Sequence, residues 1–377
     1  MRILWNEIKK ILTWKVLLLL ILINSVLYFF VIEFHIEHFP NGRPALDSYK
    51  IATQMVDKYG IDMDEDEILD FKNVYDAEVK KADRYLQSRK EFVEAGIGSY
   101  DKFANYSWEN EEQSALHDKV FFEEQVDLFF ELQERSRLIT FHENRKVYPY
   151  PSNATAKQKL RYEELNTAKH YRVYTELIID NFREFISDVA IAILFSVVLV
   201  ISPAILKDRS RQLLGLQYTA KKGRQLYLTK IAAGMISTFV VITALLIVYF
   251  SIYSLNKTSL FFDVPIHTFI GNYAWYNPTF FQYILLCVAA IYVLGFVFGL
   301  FAMAFSSIVS SMVALLGIQI PLVAGMLIFG LKPLLSFIIG IWYPQWLVPT
   351  SYSVMLIVSV LFVVYLTTRE KRRDIVN

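Results

Sequence analysis

The chain has 377 residues, of which 54% are hydrophobic and 20% charged, and its net charge of +1 hides a strong separation of charge. The apolar residues cluster into runs long enough to cross a bilayer, which excludes a simple soluble enzyme and any disordered class. The one cysteine, Cys287, lies inside an apolar run, which excludes a disulfide framework and a cysteine-based metal site.

The first predicted elements are a cytoplasmic amphipathic surface helix over 1–13 and a first transmembrane helix over 14–34. Apolar residues repeat at helical spacing before the long apolar run begins, at Ile3, Leu4, Ile8, Ile11 and Leu12. That pattern predicts a helix lying on the membrane surface. The alternative is that these residues extend the first transmembrane helix.

A large insertion over 35–184 follows the first transmembrane helix, and its apolar pattern predicts a helical extracellular domain. Asp64 and Glu67 are typical of a helix start. We predict a second helix over roughly Glu109–Asn144. A third is predicted to run from Ala154 and to continue through Phe182 into the second transmembrane helix.

Three features of the insertion are candidates for a binding site. The run 62–66 resembles the opening of a calcium loop, but Glu67 and Asn73 stand where that loop needs Gly and Glu. His35, Glu37 and His38 lie near enough in sequence for zinc, without the HExxH spacing, so we expect no metal site. The many aromatic residues either line a groove for a peptide or lipid or form the domain core.

The rest of the chain alternates apolar runs and connections. The predicted transmembrane helices span 185–206, 228–253, 280–305, 308–329 and 347–366; a cytoplasmic coupling loop spans 207–227, an extracellular loop 254–279, an outer re-entrant segment 330–346 and a cytoplasmic tail 367–377. The predicted fold class is an all-α membrane protein with six transmembrane helices, a helical extracellular domain and a short re-entrant segment before the last helix.

The distribution of charge predicts the orientation in the membrane. Residues 35–184 carry 30 Asp or Glu against 21 Lys or Arg, whereas 1–15, 207–230 and 367–377 together carry 15 Lys or Arg against 4 Asp or Glu. Positive residues mark the cytoplasmic side. We therefore expect both termini in the cytoplasm and 35–184 outside, and no nucleic-acid partner.

The chain carries no motif of an enzyme that we recognise. It has neither a G-x-x-x-x-G-K-[ST] phosphate loop nor a G-x-S-x-G elbow. The acidic residues in or beside the predicted helices, Glu33, Glu184 and Asp188, fall near the outer rim, which argues against an ion-coupled carrier. We expect a chain that is no enzyme and has no cofactor of its own.

The loop 207–230 suggests how such a chain could still act. Its residues fit a short amphipathic helix, a Gly turn and a basic step back into the membrane, and such a helix can dock in a groove of a soluble partner. The alternative is a plain positively charged loop of the kind that any membrane protein has on its cytoplasmic side.

The segment Thr219-Ala220-Lys221-Lys222-Gly223-Arg224, followed by Leu226, Leu228, Lys230 and Ile231, resembles the step into the third helix of ABC-2 type ABC transporter permeases. The six-helix layout, the surface helix, the large insertion and the dip before the last helix also match. The resemblance covers the transmembrane framework and not the extracellular domain. The family often has an acidic residue and a Gly early in this loop. At the corresponding positions, 210–212, this chain has Ser, Arg and Gln, and its nearest acidic residue and Gly are Asp208 and Gly215.

The resemblance implies two permease subunits, identical or related, above two separate ATP-binding subunits that hold ATP and Mg. The residues it implies for coupling to those subunits are Asp208, Arg211, Gly215, Tyr218, Lys221, Lys222, Gly223 and Arg224. Such a protein would lie in a bacterial cell membrane. Its expected function is export of an amphipathic substrate, such as an antimicrobial peptide or a lipid-like molecule.

Two further motifs concern packing and motion. Gly295 and Gly299 form a close-packing motif, for a subunit contact or for packing within the chain. Pro203, after Ser202, is expected to kink the second transmembrane helix and to serve as a hinge. The alternative function is a non-transporting receptor or immunity protein that binds a ligand through its extracellular domain, and a membrane enzyme ranks last.

Overall fold

The computed structural model describes residues 2–144, 151–167, 174–210, 223 and 226–372. The chain divides into two compact units. The bundle unit comprises Met1–Glu37, Asn181–Lys257 and Phe281–Asn377, and the insertion unit comprises His38–Asp180 and Thr258–Phe280. Each unit is built almost entirely from helices. The described residues contain two isolated β-bridges and no longer strand.

Six helices in the described residues are long and apolar enough to cross a membrane. These six spans are Trp14–Ile32, Leu177–Asp208, Leu226–Asn256, Phe280–Ile308, Met312–Gly330 and Leu347–Lys371. At 1.5 Å per residue, even the 19-residue spans approach the roughly 30 Å of a hydrocarbon core. The prediction of an all-α membrane protein with six transmembrane helices is confirmed.

A helix over Arg2–Ile11 precedes the first span and is separate from it. Thr13 has an extended backbone and its hydroxyl accepts a hydrogen bond from Val16 N at 3.4 Å, so it caps a new helix that begins at Trp14. The break favours the predicted separate helix over a simple extension of the first span.

The second span is broken near its end into Leu177–Ile201 and Pro203–Ser210. Proline has no backbone N–H to continue the helical ladder, so a break before Pro203 follows from its ring. The Ser202 hydroxyl donates to Gln319 Oε1 of the fifth span at 2.7 Å. The predicted kink therefore lies at a position held by a neighbouring helix.

The two glycines of the fourth span pack against the third. A Cβ at Gly299 would meet Thr238 Oγ1 at 2.8 Å, and a Cβ at Gly295 would collide with the side chain of Ile242. Both neighbours belong to this chain and lie one helical turn apart. The motif therefore serves packing within the chain.

The segment before the sixth span is partly buried in the bundle unit, with Leu334, Leu335 and Ser336 inside and Trp342 and Trp346 exposed. It contains a helical turn over Lys332–Ser336, and the Ser336 hydroxyl lies 2.6 Å from that of Ser187 in the second span. Tyr283 donates to the Ser336 carbonyl, and Tyr352 donates to the Leu334 carbonyl at 2.8 Å. These hydrogen bonds satisfy irregular backbone inside the bundle, as a re-entrant segment requires.

The insertion unit is helical, and its longest helix starts where its capping residues predict. Its helices within 38–180 are Ala45–Tyr59, Glu65–Gln87, Lys90–Glu94, Tyr100–Ala104, Glu111–Asp118, Asp127–Glu143 and Ala156–Thr167. Asp64 accepts from Glu67 N at 2.9 Å while the Glu67 carboxylate accepts from Asp64 N at 2.9 Å. This capping box confirms the predicted start of the longest helix.

The core of this unit is aromatic. Phe92, Phe103 and Phe129 are buried with Leu86 and Leu132, and the Phe103 and Phe129 rings lie 4.9 Å apart. Of the two interpretations of the aromatic residues, core packing therefore holds for Phe103 and Phe129. Trp108, in contrast, is exposed.

Two predicted helices are interrupted, so those predictions were wrong. The helix predicted over Glu109–Asn144 stops at Gln125, whose φ of +49° lies in the left-handed region, and a new helix starts at Asp127. The helix predicted from Ala154 into the second span is broken at Tyr174. There the backbone bonds to Thr268 and Ile270 instead of to its own helix.

The connection between the third and fourth spans belongs largely to the insertion unit. Residues Thr258–Phe280 cluster with His38–Asp180, and their side chains Phe261, Ile266 and Phe269 are fully buried. The segment predicted as an extracellular loop over 254–279 is thus a folded part of the unit, because its apolar side chains complete the unit's core.

Candidate functional site

A buried ion pair joins the two ends of the loop between the second and third spans. Lys230, on the first turns of the third span, donates to the carboxylate of Asp208, on the last turn of the second. Each residue is only 6% exposed. Since the loop lies between these two residues, the pair closes its base.

The N-terminal helix adds a second pair of charges to the same place. Lys10 Nζ donates to Glu7 Oε1 at 2.7 Å and lies 3.9 Å from Asp208 Oδ2. Glu7 is buried, whereas Lys10 is half-exposed. We call Glu7, Lys10, Asp208 and Lys230 the Asp208 cluster; its two carboxylates and two ammonium groups balance.

Local sequence places each member of the cluster. Ile8 and Ile11 are buried next to Glu7, so the apolar face of the N-terminal helix turns Glu7 inward. Lys230 shares a helix face with the buried Tyr227, three residues earlier. Asp208 lies on the short helix Pro203–Ser210, and the break before Pro203 sets the direction of that helix.

The physical role that this arrangement supports is mechanical. A buried ion pair loses hydration that its Coulomb attraction only partly repays, but removing one partner strands the other charge in a low dielectric. The pair therefore resists separation of the two helix ends. Among the described residues there is no group of three or more His, Cys, Asp or Glu side chains placed to hold a metal ion.

A cavity of about 270 Å³ lies against the Asp208 cluster. Its lining combines the four charged members with residues of the first, second and fourth spans and with the exposed Lys207. The cavity lies beside the Pro203 break, with Val200 and Ile205 on either side of the break among its lining residues.

A second polar cluster lies at the other end of the same spans. His35 Nε2 lies 2.7 Å from Asp188 Oδ2, and the His35 carbonyl accepts from the Asn181 amide at 3.0 Å and from the Asn256 amide at 2.9 Å. We call these residues, with Glu184 at 3.8 Å from His35 Nδ1, the His35 cluster. It joins the ends of the first, second and third spans.

Between the two clusters, Asn24 links the same three spans. Its amide donates to Ser196 Oγ at 2.9 Å, and its carbonyl oxygen accepts from the Tyr249 hydroxyl at 2.8 Å. Sequence reasoning missed this residue. A lone asparagine inside an otherwise apolar run was the available signal, because such a group needs partners within the bundle.

The predicted coupling residues fall only partly in the described chain. Asp208 lies in the cluster, and Gly223 has a φ of +46°, in the left-handed region that favours glycine, as the expected turn requires. Arg211, Gly215, Tyr218, Lys221, Lys222 and Arg224 lie outside the described residues. Their coupling role stays a prediction.

Comparison of the chain with protein-family models, with curated proteins and with solved structures gave no match. The fold defines the class by itself: an all-α, multi-pass membrane protein. Within this fold, the buried Asp208–Lys230 pair links the ends of the second and third spans at the base of the loop between them.

Proposed function

We propose that this chain is the membrane-spanning permease subunit of an ABC exporter of the ABC-2 type. Separate ATP-binding subunits would dock on the loop between the second and third spans and hold ATP and Mg. The observation that carries the proposal is the buried Asp208–Lys230 pair at the base of that loop.

The pair supports coupling because it makes the loop and its helices move together. A partner that pushes the loop would displace Asp208 and Lys230 as one body. Lys10 and Glu7 extend that body to the N-terminal helix, and the Pro203 break gives the second span a hinge. Motion of the loop would thus be passed to the second span, the third span and the N-terminal helix.

The rest of the proposal follows the charge pattern and the resemblance. The chain would lie in a bacterial cell membrane with both termini cytoplasmic and 35–184 extracellular. It would pair with a second permease subunit, identical or related. The cargo would be amphipathic, such as an antimicrobial peptide or a lipid-like molecule.

The alternative is a receptor or immunity protein that binds a ligand through the insertion unit. The observation that favours it is the unit's own aromatic core, since a compact unit with its own core could bind a ligand independently of transport. Such a protein would need no ATP-binding partner.

The test is co-purification from the native host in mild detergent, read by mass spectrometry. We expect an ATP-binding cassette subunit with the wild-type chain, and at least tenfold less of it with Lys221→Glu, Lys222→Glu and Arg224→Glu combined. The matched control reverses three exposed lysines of the insertion unit, Lys80, Lys90 and Lys102. Absence of such a subunit, or equal loss in the control, would contradict the proposal.

A further inference from the structure

The N-terminal helix presents a polar and aromatic face away from the protein. Arg2, Trp5, Asn6 and Lys9 are all exposed, and their spacing of three, four and seven residues places them on one side of the helix. Trp5 is 57% exposed, which is unusual for the largest apolar side chain. We call this side, together with the exposed Trp14 and Lys15 at the start of the first span, the Trp5 face.

The opposite face of the same helix is covered by the bundle unit. Glu7, Ile8 and Ile11 are buried. An amphipathic helix on a membrane usually inserts its apolar face into lipid. Here protein already occupies that face, so only the Trp5 face remains for the surroundings.

The chain geometry confines the Trp5 face to the membrane boundary. Only Leu12 and Thr13 separate this helix from the first span, and ten residues of helix extend about 15 Å. Trp14, the first residue of the span, is 70% exposed. Tryptophan at the end of a span is typical of the headgroup region.

The charges on the Trp5 face have one sign. Arg2, Lys9 and Lys15 pair with no carboxylate in the described part of the chain, and the nearby Glu7 is buried and bonded to Lys10. Lys9 Nζ lies 5.3 Å from the Trp5 ring and Lys15 Nζ 5.8 Å from the Trp14 ring. Each pair combines an indole for the interface with an ammonium group for an anion.

We propose that the Trp5 face binds the phosphate headgroups of anionic phospholipids in the leaflet at this end of the spans. Arg2, Lys9 and Lys15 would bind the phosphates, and the two indoles would lie at headgroup depth. The inference needs only that the chain spans a membrane. It is independent of an ATP-binding partner, so the two proposals can fail separately.

The test measures lipid bound to the purified full-length chain by native mass spectrometry, with phosphatidylglycerol and phosphatidylcholine as probes. We expect wild type to prefer phosphatidylglycerol, and Arg2→Glu with Lys9→Glu to weaken its binding by about tenfold or more, since each basic residue adds to anionic-lipid affinity. The matched control is Lys80→Glu with Lys102→Glu in the insertion unit. Arg2→Gln with Lys9→Gln is the milder variant, and an unchanged thermal midpoint shows that the fold persists.

Four outcomes would overturn the proposal. Equal binding of the two lipids, or equal loss in the control pair, would show that the Trp5 face does not select headgroups. Displacement of phosphatidylglycerol by an equal concentration of inorganic phosphate would indicate a site for free phosphate. Loss of a co-purifying protein with no change in bound lipid would assign the face to a protein partner.

Discussion

The bundle unit buries both partners of an ion pair, Asp208 with Lys230, among its helices. In the described part of the insertion unit, ion pairs keep at least one partner partly exposed: Lys72 and Glu143 are both substantially exposed, and the buried Glu134 pairs with Arg137, whose side chain is one-third exposed. A surface pair is screened by water and adds little stability. A buried pair holds two elements together because neither charge can be left alone. We therefore expect the stability of the chain to depend more on the Asp208–Lys230 pair than on an exposed ion pair of the insertion unit.

The largest effect is expected from breaking the buried pair. Asp208→Ala leaves the Lys230 ammonium group without its carboxylate, which typically costs about 3–5 kcal/mol. The thermal midpoint of the full chain in detergent should fall far more than for Asp76→Ala, an exposed aspartate of the insertion unit. Equal shifts in the two variants would remove the contrast between the units. The exchange Asp208→Lys with Lys230→Asp should recover part of the loss.

A smaller effect is expected from filling the contact between the third and fourth spans. Gly299→Ala places a Cβ 2.8 Å from Thr238 Oγ1, and overpacking of this kind costs about 1–3 kcal/mol. Gly317→Ala in the fifth span is the matched control, because a Cβ there meets nothing within 4 Å. A fall in thermal midpoint for Gly317→Ala as large as for Gly299→Ala would argue against close packing of these spans.

The insertion unit should weaken in mild acid through His117. Burial lowers the pKa of His117, outweighing the Asp118 carboxylate 3.5 Å away. Because the folded pKa lies below the unfolded value of about 6.5, this contribution is full above that pH and is lost as the pH falls below it. Hydrogen exchange of the Tyr100–Ala104 amides should quicken from pH 7.5 to pH 5.5, after correction for intrinsic rates.

His117→Phe provides the control for that pH dependence. The imidazole lies 5.5 Å from the Phe103 ring in a stacked arrangement, so a phenyl ring keeps the packing and cannot titrate. The corrected change in exchange between the two pH values should shrink in the variant. An undiminished change would assign the effect to other groups.

The smallest effect is expected from the surface pair. Lys72 Nζ lies 2.6 Å from Glu143 Oε1, with both side chains substantially exposed. Lys72→Ala should change stability by about 1 kcal/mol or less. A loss in thermal midpoint comparable to that of Asp208→Ala would show that burial does not determine how much an ion pair contributes to stability.

The two units also differ in how far their structure follows from sequence. The six spans were predictable because apolar run length alone decides whether a helix can cross a membrane. The start of the long helix at Glu65 was predictable because Asp64 and Glu67 act locally. The break at Tyr174 was not, since its partners Thr268 and Ile270 lie almost a hundred residues away.

The candidate site was predictable only in part for the same reason. Asp208 was singled out through the resemblance of its loop to the permease family, but its partner Lys230 lies 22 residues away and Glu7 lies in another element. The helix Ala45–Tyr59 was missed because its buried apolar residues form only a short stripe between Pro44 and Gly60. Pairing across elements depends on packing, which local pattern does not encode.

Under the proposed function, the Asp208 cluster transmits motion of the loop to the spans. Hydrogen exchange at the start of the third span, measured on the complex co-purified from its host, tests that transmission. We predict that adding ATP and Mg changes exchange in Leu226–Tyr253 for the wild type, and that Asp208→Asn abolishes the change while the ATP-binding subunit stays bound. Exchange that does not change with nucleotide in the wild type, or that changes equally in the wild type and in Asp208→Asn, would contradict this role of the cluster.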